Sequence, residues 1–472
     1  MNKPWNALSA GRAALISLAL LSAARPAAAY ETRPLDLVLV LDTAVSMAVS
    51  DPRRLAPSAV ELLLNLLPAQ SRVQVFGFDR DVHTRSELRL LDADGRRDLN
   101  WLVQNVVASP HVGSDFRPPL EAALQSLAQD RRENARPIVL LFSDGITNVG
   151  SNDENQRQKE AVLRQTVARL HAAGIRVFAI AFSEHVDAPF LQDIAAGTSG
   201  LTMVAERTEQ LSELFTTIFE IIEQPDMLPV DRVVHVDDHV GSLSLLVNRK
   251  PEEADGTVLI SPQGDAIDAT SARPDIHWTS GRGYSLVTMD HPQQGDWQLQ
   301  PDSDGSRKAY IVTDVALRVE APDLVGGGDA MPPINAWLEQ AGGGVMNTPG
   351  VRIQAGVTAL NDSAAPDVAL ALADDDGDGR FSQTLPKLAP GAYRITVQAS
   401  VGNLQRIKEH GLTVAAAPPP REPAAGDSET DSLIMLAWIN LALLPMVGAA
   451  VYLRMRGRKK RRRVRRGAPA DE

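Results

Sequence analysis

One apolar stretch constrains this chain more than any other. Residues 35–41 read Leu-Asp-Leu-Val-Leu-Val-Leu, and the small polar segment Asp42-Thr-Ala-Val-Ser46 follows directly. A nearly continuous run of Leu and Val is typical of a strand that is covered on both faces, as in a parallel sheet between helices. Ligands of such folds bind at the carboxyl ends of the strands. We therefore expect Asp42, Thr43 and Ser46 to present oxygen atoms at a binding edge, where they suit a hard cation such as Mg²⁺.

Similar segments recur over residues 34–223. Two further apolar runs, 137–142 and 176–182, read as buried strands, and segments with apolar residues at helical spacing lie between the strands. The last of them, 208–223, has one apolar stripe. Alternating strands and helices predict an α/β fold, with a doubly wound, mostly parallel sheet.

Three short motifs in this region resemble those of von Willebrand factor type A domains. Asp42-Thr-Ala-Val-Ser46 resembles the family's Asp-x-Ser-x-Ser motif, with Ala44 in place of the first serine. Gly113-Ser114-Asp115 resembles the family's Gly-Thr-Asp/Asn loop. Phe142-Ser-Asp-Gly-Ile-Thr-Asn148 resembles its Thr/Ser-Asp-Gly segment at the end of a strand. The resemblance implies a Rossmann-like domain over residues 34–223.

The resemblance also implies a metal-ion-dependent adhesion site at Asp42, Ser46, Ser114 and Asp144. In the family, an acidic side chain of a protein partner completes the coordination of the ion. We expect Mg²⁺ here, with Mn²⁺ or Ca²⁺ as alternatives. Ala44 removes one oxygen ligand, which a water molecule can replace because Mg²⁺ usually keeps several waters. The alternative is that Asp42 and Asp144 only accept backbone N–H bonds as loop caps.

The sequence gives little support for catalysis. His83, His111 and His171 lie apart from the motifs, and neither Ser46 nor Ser114 has a His or Lys base at a recognisable spacing. We therefore predict that the protein is not an enzyme, and a hydrolase is the least supported alternative.

Residues 230–415 consist of short alternating segments broken by Gly, Pro and Asp. Their spacing predicts two β-sandwich domains, at 230–313 and at 314–415, the second of them immunoglobulin-like. Trp297 is predicted to be buried in the first. In the second, Asp374-Asp-Asp-Gly-Asp-Gly379 matches the first half of an EF-hand loop, but Leu385 stands where a bidentate Glu is needed. A hairpin turn is therefore favoured over a Ca²⁺ site.

The amino-terminal end reads as a secretory signal. Residues 1–29 combine Lys3 and Arg12 with an apolar run and end in Ala27-Ala-Ala29, which predicts a signal peptide cleaved before Tyr30. An uncleaved anchor helix is the alternative, but the apolar run is short for a bilayer span of roughly 20 residues.

The carboxyl-terminal end reads as a membrane anchor. A Pro-rich linker at 416–431 precedes residues 432–453, which carry no charge and are long enough for one transmembrane helix. The basic tail 454–472 then predicts a cytoplasmic carboxyl terminus, so the preceding domains are exported, either to the periplasm or to the cell exterior.

Charge and cysteine content limit the function further. The two ends hold 13 of the chain's 47 Lys and Arg but only two of its 59 Asp and Glu, which leaves the exported part with a net charge of −23. Such a surface repels nucleic acid, so we predict no nucleic-acid partner. The chain has no cysteine, so no disulfide stabilises the domains.

Taken together, these features predict a single-pass cell-membrane protein that binds a protein partner through the predicted ion site. The alternative is a metal-independent structural or sensory scaffold of the cell envelope, in which Ala44 marks an ion site that has been lost.

Overall fold

The computed structural model describes residues 33–416, except for 110–112, 183–186, 272, 301–304 and 363. The predicted signal peptide, transmembrane helix and basic tail lie outside the described residues, as does the predicted linker from residue 417 onwards. Among the described helices, none has the length and apolar character that a membrane span requires.

The first part of the chain alternates strands and helices. Its strands are β1 (Leu35–Asp42), β2 (Arg72–Phe78), β3 (Val82–Arg85), β4 (Arg89–Leu90), β5 (Arg136–Ser143), β6 (Arg176–Phe182) and β7 (Thr202–Ala205). Its helices are α1 (Val45–Ser50), α2 (Ala56–Leu66), α3 (Ala93–Gln104), α4 (Arg117–Gln129), α5 (Asn152–Ala161), α6 (Ala168–Ala172), α7 (Ala188–Ala196) and α8 (Leu211–Glu223). A π-helical segment, Val162–Val167, joins α5 to α6, and a 3₁₀ turn, Thr208–Gln210, precedes α8.

These seven strands form one sheet in the order β3-β2-β1-β5-β6-β7, with β4 also paired to β2. The strands from β2 to β7 along this order pair in parallel, and β3 and β4 run antiparallel at one edge. In the centre, Leu39 lies opposite Val75 on one side and Leu140 on the other. The predicted doubly wound, mostly parallel sheet is therefore confirmed.

Strand β1 is buried along its whole length because helices pack on both faces of the sheet. Side chains alternate between the faces of a strand. Accordingly, Leu37 and Leu39 enter a core with α2, α3 and α8, whereas Val38 and Val40 enter a second core with α4 and α7. This packing holds Asp42, the last residue of β1, on a rigid support.

The second part of the chain is built from strands. Its first half contains β8 (Asp226–Leu228), β9 (Val233–Val236), β10 (Val240–Asn248), β11 (Val258–Ile260), β12 (Ala266–Ile267), β13 (Ile276–Gly281), β14 (Tyr284–Asp290), β15 (Gly295–Gln300) and β16 (Arg307–Thr313). Its second half contains β17 (Val315–Glu320), β18 (Leu324–Val325), β19 (Pro333–Gln340), β20 (Gly344–Val345), β21 (Arg352–Ala359), β22 (Val368–Ala371), β23 (Phe381–Thr384), β24 (Gly391–Val401) and β25 (Leu404–Val414).

One large sheet runs through both halves of this region. Its order is β13-β14-β10-β16-β8-β25-β24-β21-β22, with β18 beside β25. There are two smaller sheets in this region, β12-β11-β15-β9 and β17-β19-β20 with β23. Each shares a separate apolar core with the large sheet, the first around the buried Trp297 and the second around Ile395. The region has two cores, as two sandwiches would, but the large sheet is continuous between them because β8 pairs with both β16 and β25.

The opposite face of the large sheet packs against the first domain. Tyr310 of β16 extends the core formed by α2 and α8, and its ring lies 5.2 Å from that of Phe219 in an edge-to-face contact. Its hydroxyl donates to the buried carboxylate of Glu220 at 2.9 Å. On β25, a Cβ added at Gly411 would lie 2.6 Å from Ile221, so only glycine permits this close approach.

Candidate metal-ion site at the carboxyl edge of the sheet

The site is centred on the buried carboxylate of Asp42. Its oxygens accept hydrogen bonds from the hydroxyl of Ser114 at 2.9 and 3.0 Å and from the hydroxyl of Ser143 at 2.6 Å. The backbone N–H of Ala44 donates a further bond at 2.9 Å. Three separate segments of the chain thus converge on one carboxylate at the end of β1.

The charge of Asp42 has no basic partner among the described residues. The pKa of this carboxyl group is raised to about 7, mainly by burial and in smaller part by the nearby carboxylate of Asp144. The hydrogen bonds from Ser143, Ala44 and Ser114 oppose the shift without cancelling it. An ionised Asp42 is therefore unfavourable in this site, and a cation bound beside it would supply the missing positive charge.

Asp144 and Ser114 lie where the motifs predict. Asp144 directly follows β5, is buried, and accepts a hydrogen bond from the backbone N–H of Ile146 at 3.0 Å. Ser114 forms a bridge with Thr147, which lies three residues after Asp144 in the same loop. The structure therefore brings Asp42, Ser114 and Asp144 together.

Ser46 lies four residues beyond Asp42, in α1. It is half-buried, and its hydroxyl has no hydrogen bond to any residue that the structure describes. The small polar segment that follows β1 thus continues into a short helix. Ala44 occupies the N-cap position of α1 and provides no side-chain cap, so its buried methyl group stands where a serine would offer a hydroxyl.

Two hydroxyl groups of the site were missed from the sequence. Ser143 donates to Asp42 and accepts from the N–H of Gly145 at 2.9 Å. The hydroxyl of Thr147 is buried without a hydrogen-bond partner within the described part of the chain. The position of Ser143 directly before Asp144, at the end of an apolar strand, was the signal that could have identified it.

The prediction that His83 lies apart from the motifs is wrong. Because β3 folds back on β2, the Nε2 atom of His83 lies 2.6 Å from the hydroxyl of Thr43. The Thr43 hydroxyl donates to the carbonyl of Phe78 at 2.8 Å, so it accepts from His83. Thr43, which the sequence places among the binding oxygens, is thus committed to the backbone.

The side chains present fit a divalent cation. Asp42, Asp144, Ser46 and Ser114 offer carboxylate and hydroxyl oxygens, the donor set that Mg²⁺ and Mn²⁺ prefer. The unpaired Thr147 hydroxyl beside Ser114 adds a polar group that a bound water molecule could satisfy. Both aspartates also accept backbone N–H bonds, as the capping alternative expects, but capping alone leaves the buried charge of Asp42 uncompensated.

Other acidic residues serve turns. Asp51 accepts the N–H groups of Leu55 and Ala56, both at 2.8 Å, at the start of α2. The carboxylates of Asp374, Asp376 and Asp378 approach within 4.8 Å of one another in the turn between β22 and β23. Asp374 accepts three backbone N–H groups of that turn, as expected for the predicted hairpin turn.

Comparison with known proteins agrees with this geometry. Residues 36–217 match the model of the von Willebrand factor type A domain. This part of the chain is therefore a type A domain, a class that often carries a metal-ion-dependent adhesion site, and a β-rich region follows it. No curated protein matches the chain.

Several solved structures are similar to the chain at low identity. A von Willebrand factor type A protein from Catenulispora acidiphila is 11% identical, with 81% of this chain and 67% of that chain covered and a TM-score of 0.34. The mussel byssus protein PTMP1, with a zinc-occupied MIDAS motif, is 18% identical over 43% of this chain and 50% of its own, with a TM-score of 0.34. BatB from Bacteroides thetaiotaomicron is 14% identical, with 39% of this chain and 97% of that chain covered and a TM-score of 0.32.

Proposed function

We propose that this protein binds a protein partner through a divalent cation held by Asp42, Ser46, Ser114 and Asp144. The acidic side chain of the partner would complete the coordination of the ion. The observation that carries the proposal is the state of Asp42, a buried carboxylate with two hydroxyl donors and no basic partner among the described residues. Mg²⁺ is the first candidate, and Mn²⁺ or Ca²⁺ are the alternatives.

The electrostatics of the site favour this use. Two buried carboxylates repel each other, and a divalent cation between them cancels their charge. Mg²⁺ bound by only two carboxylates keeps water ligands, and one of these can be exchanged for a carboxylate from outside. The site's own residues therefore hold the ion, and the exchangeable position selects an acidic partner.

Addition of Mg²⁺ is expected to stabilise the folded protein. An ion that binds only the native state adds RT ln(1 + [L]/Kd), which is about 1.4 kcal/mol at about 10 mM Mg²⁺ for a Kd near 1 mM. Asp144→Ala should abolish this gain because it deletes a ligand carboxylate. Asp376→Ala, which removes an exposed acid of the distant turn, is the matched control and should keep the gain. Calorimetric unfolding with Mg²⁺, Mn²⁺ or a chelator measures the effect.

Ala44→Ser separates the ion site from the alternative scaffold. A serine at this N-cap should stabilise α1 by about 1 kcal/mol with or without metal. If the ion site is functional, the variant should in addition enlarge the Mg²⁺-dependent gain, because it restores an oxygen ligand. A wild-type protein that gains nothing from Mg²⁺ or Mn²⁺, together with a variant that does, would support the metal-independent scaffold.

A catalytic role is not part of the proposal. The contact between Thr43 and His83 resembles a nucleophile and its base, but the Thr43 hydroxyl donates its hydrogen bond to the carbonyl of Phe78. His83 is therefore placed as a donor and cannot take that proton in this arrangement. Hydrolysis of peptide, ester or phosphate substrates that is lost on Thr43→Val would refute this part of the account.

We also propose that the domains are exported and anchored by the membrane span at 432–453, with the basic tail 454–472 in the cytoplasm. The proposal rests on the sequence of the two ends, and the immunoglobulin-like character of residues 314–415 rests on strand spacing. A reporter fused after Glu472 should be active only in the cytoplasm. Activity of that reporter outside the cell membrane would contradict the topology.

A further inference from the structure

A cavity of about 330 Å³ opens directly beside the candidate ion site. Asp42 and Thr43 form one wall of it, so the cavity and the ion site share a boundary. The rest of the lining is mostly apolar, with side chains from β1, α1, α2, α3 and the end of β5: Leu41, Met47, Val60, Val103 and Phe142. Its volume is at the lower end of the range for ligand pockets, which is roughly 300–1,000 Å³.

Exposed apolar side chains surround the same edge of the sheet. Val45 and Val49 project from α1, Ile146 follows Asp144, and Val107 lies in the segment after α3. Val49 is 75% exposed and Val107 is 74% exposed. A contiguous exposed apolar patch marks a surface that another molecule covers, and these side chains are the ones that would form such a patch at this edge.

Backbone contacts hold the Val107 segment beside the cavity. The N–H of Ser109 donates to the carbonyl of Thr43 at 2.7 Å, and the guanidinium of Arg54 donates to the carbonyl of Val106 at 3.3 Å. Arg54 lines the cavity and forms no ion pair with an acidic side chain in the described ranges. Arg54 therefore brings one positive charge to a lining that also contains the carboxylates of Asp42 and Asp51, and its guanidinium can contact an acidic residue of a partner.

We infer that the partner's acidic residue stands next to a large apolar residue, whose side chain enters the cavity while the carboxylate binds the ion. This inference rests on the proposed function. A protein segment is the occupant because the ion site selects a carboxylate, the cavity selects an apolar side chain, and the exposed valines require a surface larger than a small molecule. A polar side chain against the apolar part of the lining would lose its water without gaining hydrogen bonds.

A peptide array tests the inference with the purified full chain. Each peptide carries one Glu or Asp in a Gly/Ser background, with the residue on either side varied through all types, and binding is measured in Mg²⁺ and in a chelator. Two variants accompany the wild type. Ala108→Phe places a ring at an exposed position of the cavity lining, and Ala128→Phe makes the same change on the exposed face of α4, away from the cavity.

Acidic peptides with Leu, Ile, Met or Phe beside the acid should bind about tenfold more tightly than those with Ser. Ala108→Phe should remove this preference and keep the Mg²⁺-dependent binding of the acid, which also shows that the variant is folded. Ala128→Phe should behave as the wild type does. Mg²⁺-dependent binding without an apolar preference would overturn the inference and leave the proposed function standing. Absence of any Mg²⁺-dependent binding would overturn both.

Discussion

Arg406→Met is expected to lower the free energy of unfolding by about 3–5 kcal/mol, because it leaves a buried carboxylate without its partner. Arg406 is fully buried on β25, and its guanidinium contacts both oxygens of Asp237 at 2.6 and 3.1 Å. It also donates to the carbonyl of Val315 and the hydroxyl of Thr313, both at 2.9 Å. This one side chain joins the two halves of the β-rich region.

The pKa of Asp237 gives the pH dependence of that loss. Burial raises the pKa of Asp237, but the hydrogen bonds and charge of Arg406 outweigh burial and hold it below its ordinary value. The pair therefore stabilises the native state above that ordinary value, and its contribution is lost as the pH falls through the lowered pKa. The difference in unfolding free energy between wild type and Arg406→Met should shrink in acid.

Arg406→Met combined with Asp237→Asn should recover most of the stability lost in Arg406→Met, as measured by urea unfolding. A double variant as unstable as the single one would contradict the account.

Asp42→Asn is expected to stabilise the metal-free protein at about pH 8. The folded pKa of Asp42 is about 7, far above its ordinary value of 3.8, because of burial. The stability that the protonated group confers is complete below the ordinary value and is lost as the pH rises through about 7. The neutral amide avoids that loss, so the advantage of Asp42→Asn over wild type should grow from about pH 4 to pH 8, by up to about 4 kcal/mol.

Mg²⁺ should narrow this difference in stability. At saturating Mg²⁺ the wild type gains stability, whereas Asp42→Asn, which lacks the ligand charge, should not. Glu220 is the matched comparison, since burial also raises its pKa to about 7, but it lies at the packed face of α8, where Lys308 donates to it. Glu220→Gln should also flatten the pH profile and leave the Mg²⁺ gain intact. Identical pH profiles for wild type and Asp42→Asn would show that Asp42 is not the buried acid described here.

The strands and long helices of the first domain could be predicted because burial determines their sequence. Strand β1 was expected at 35–41 and ends one residue later, at Asp42, and β6 occupies the expected residues 176–182. Local hydrogen bonds caused the errors. The residue pattern predicts a helix at 96–108, but α3 begins at Ala93 because the side chain of Asp92 accepts a hydrogen bond from the N–H of Gly95 at 2.8 Å. Residues 82–90 read as one edge strand in the sequence, but they form two short strands, β3 and β4, where the Ser86 hydroxyl accepts a hydrogen bond from the N–H of Val75.

The continuity of the large sheet could not be predicted. It depends on β8, a three-residue strand before the expected start of the first sandwich, and so short a segment has no distinct pattern. The contact between α8 and β25 was equally hidden, because it requires the absence of a side chain at Gly411. Pairing between segments that are distant in sequence leaves little trace in local residue patterns.

Only the residues of the site that belong to the three motifs could be predicted from the sequence. Asp42, Ser114 and Asp144 meet as the motifs imply, because three loops follow neighbouring strands and helices at one edge. Ser143 and the contact between His83 and Thr43 depend on side-chain direction and on the fold of the edge hairpin, which short motifs do not describe. The apolar cavity likewise forms from five separate elements.

Direct titration with Mn²⁺ tests the central claim, that Asp42 and Asp144 hold a divalent cation. In calorimetry on the purified full chain, the account predicts one Mn²⁺ site in the wild type and in Asp376→Ala. It predicts loss of that site in both Asp42→Asn and Asp144→Ala, each shown by its unfolding transition to be folded. No Mn²⁺ binding by the wild type, or binding that persists unchanged in Asp42→Asn, would contradict the account.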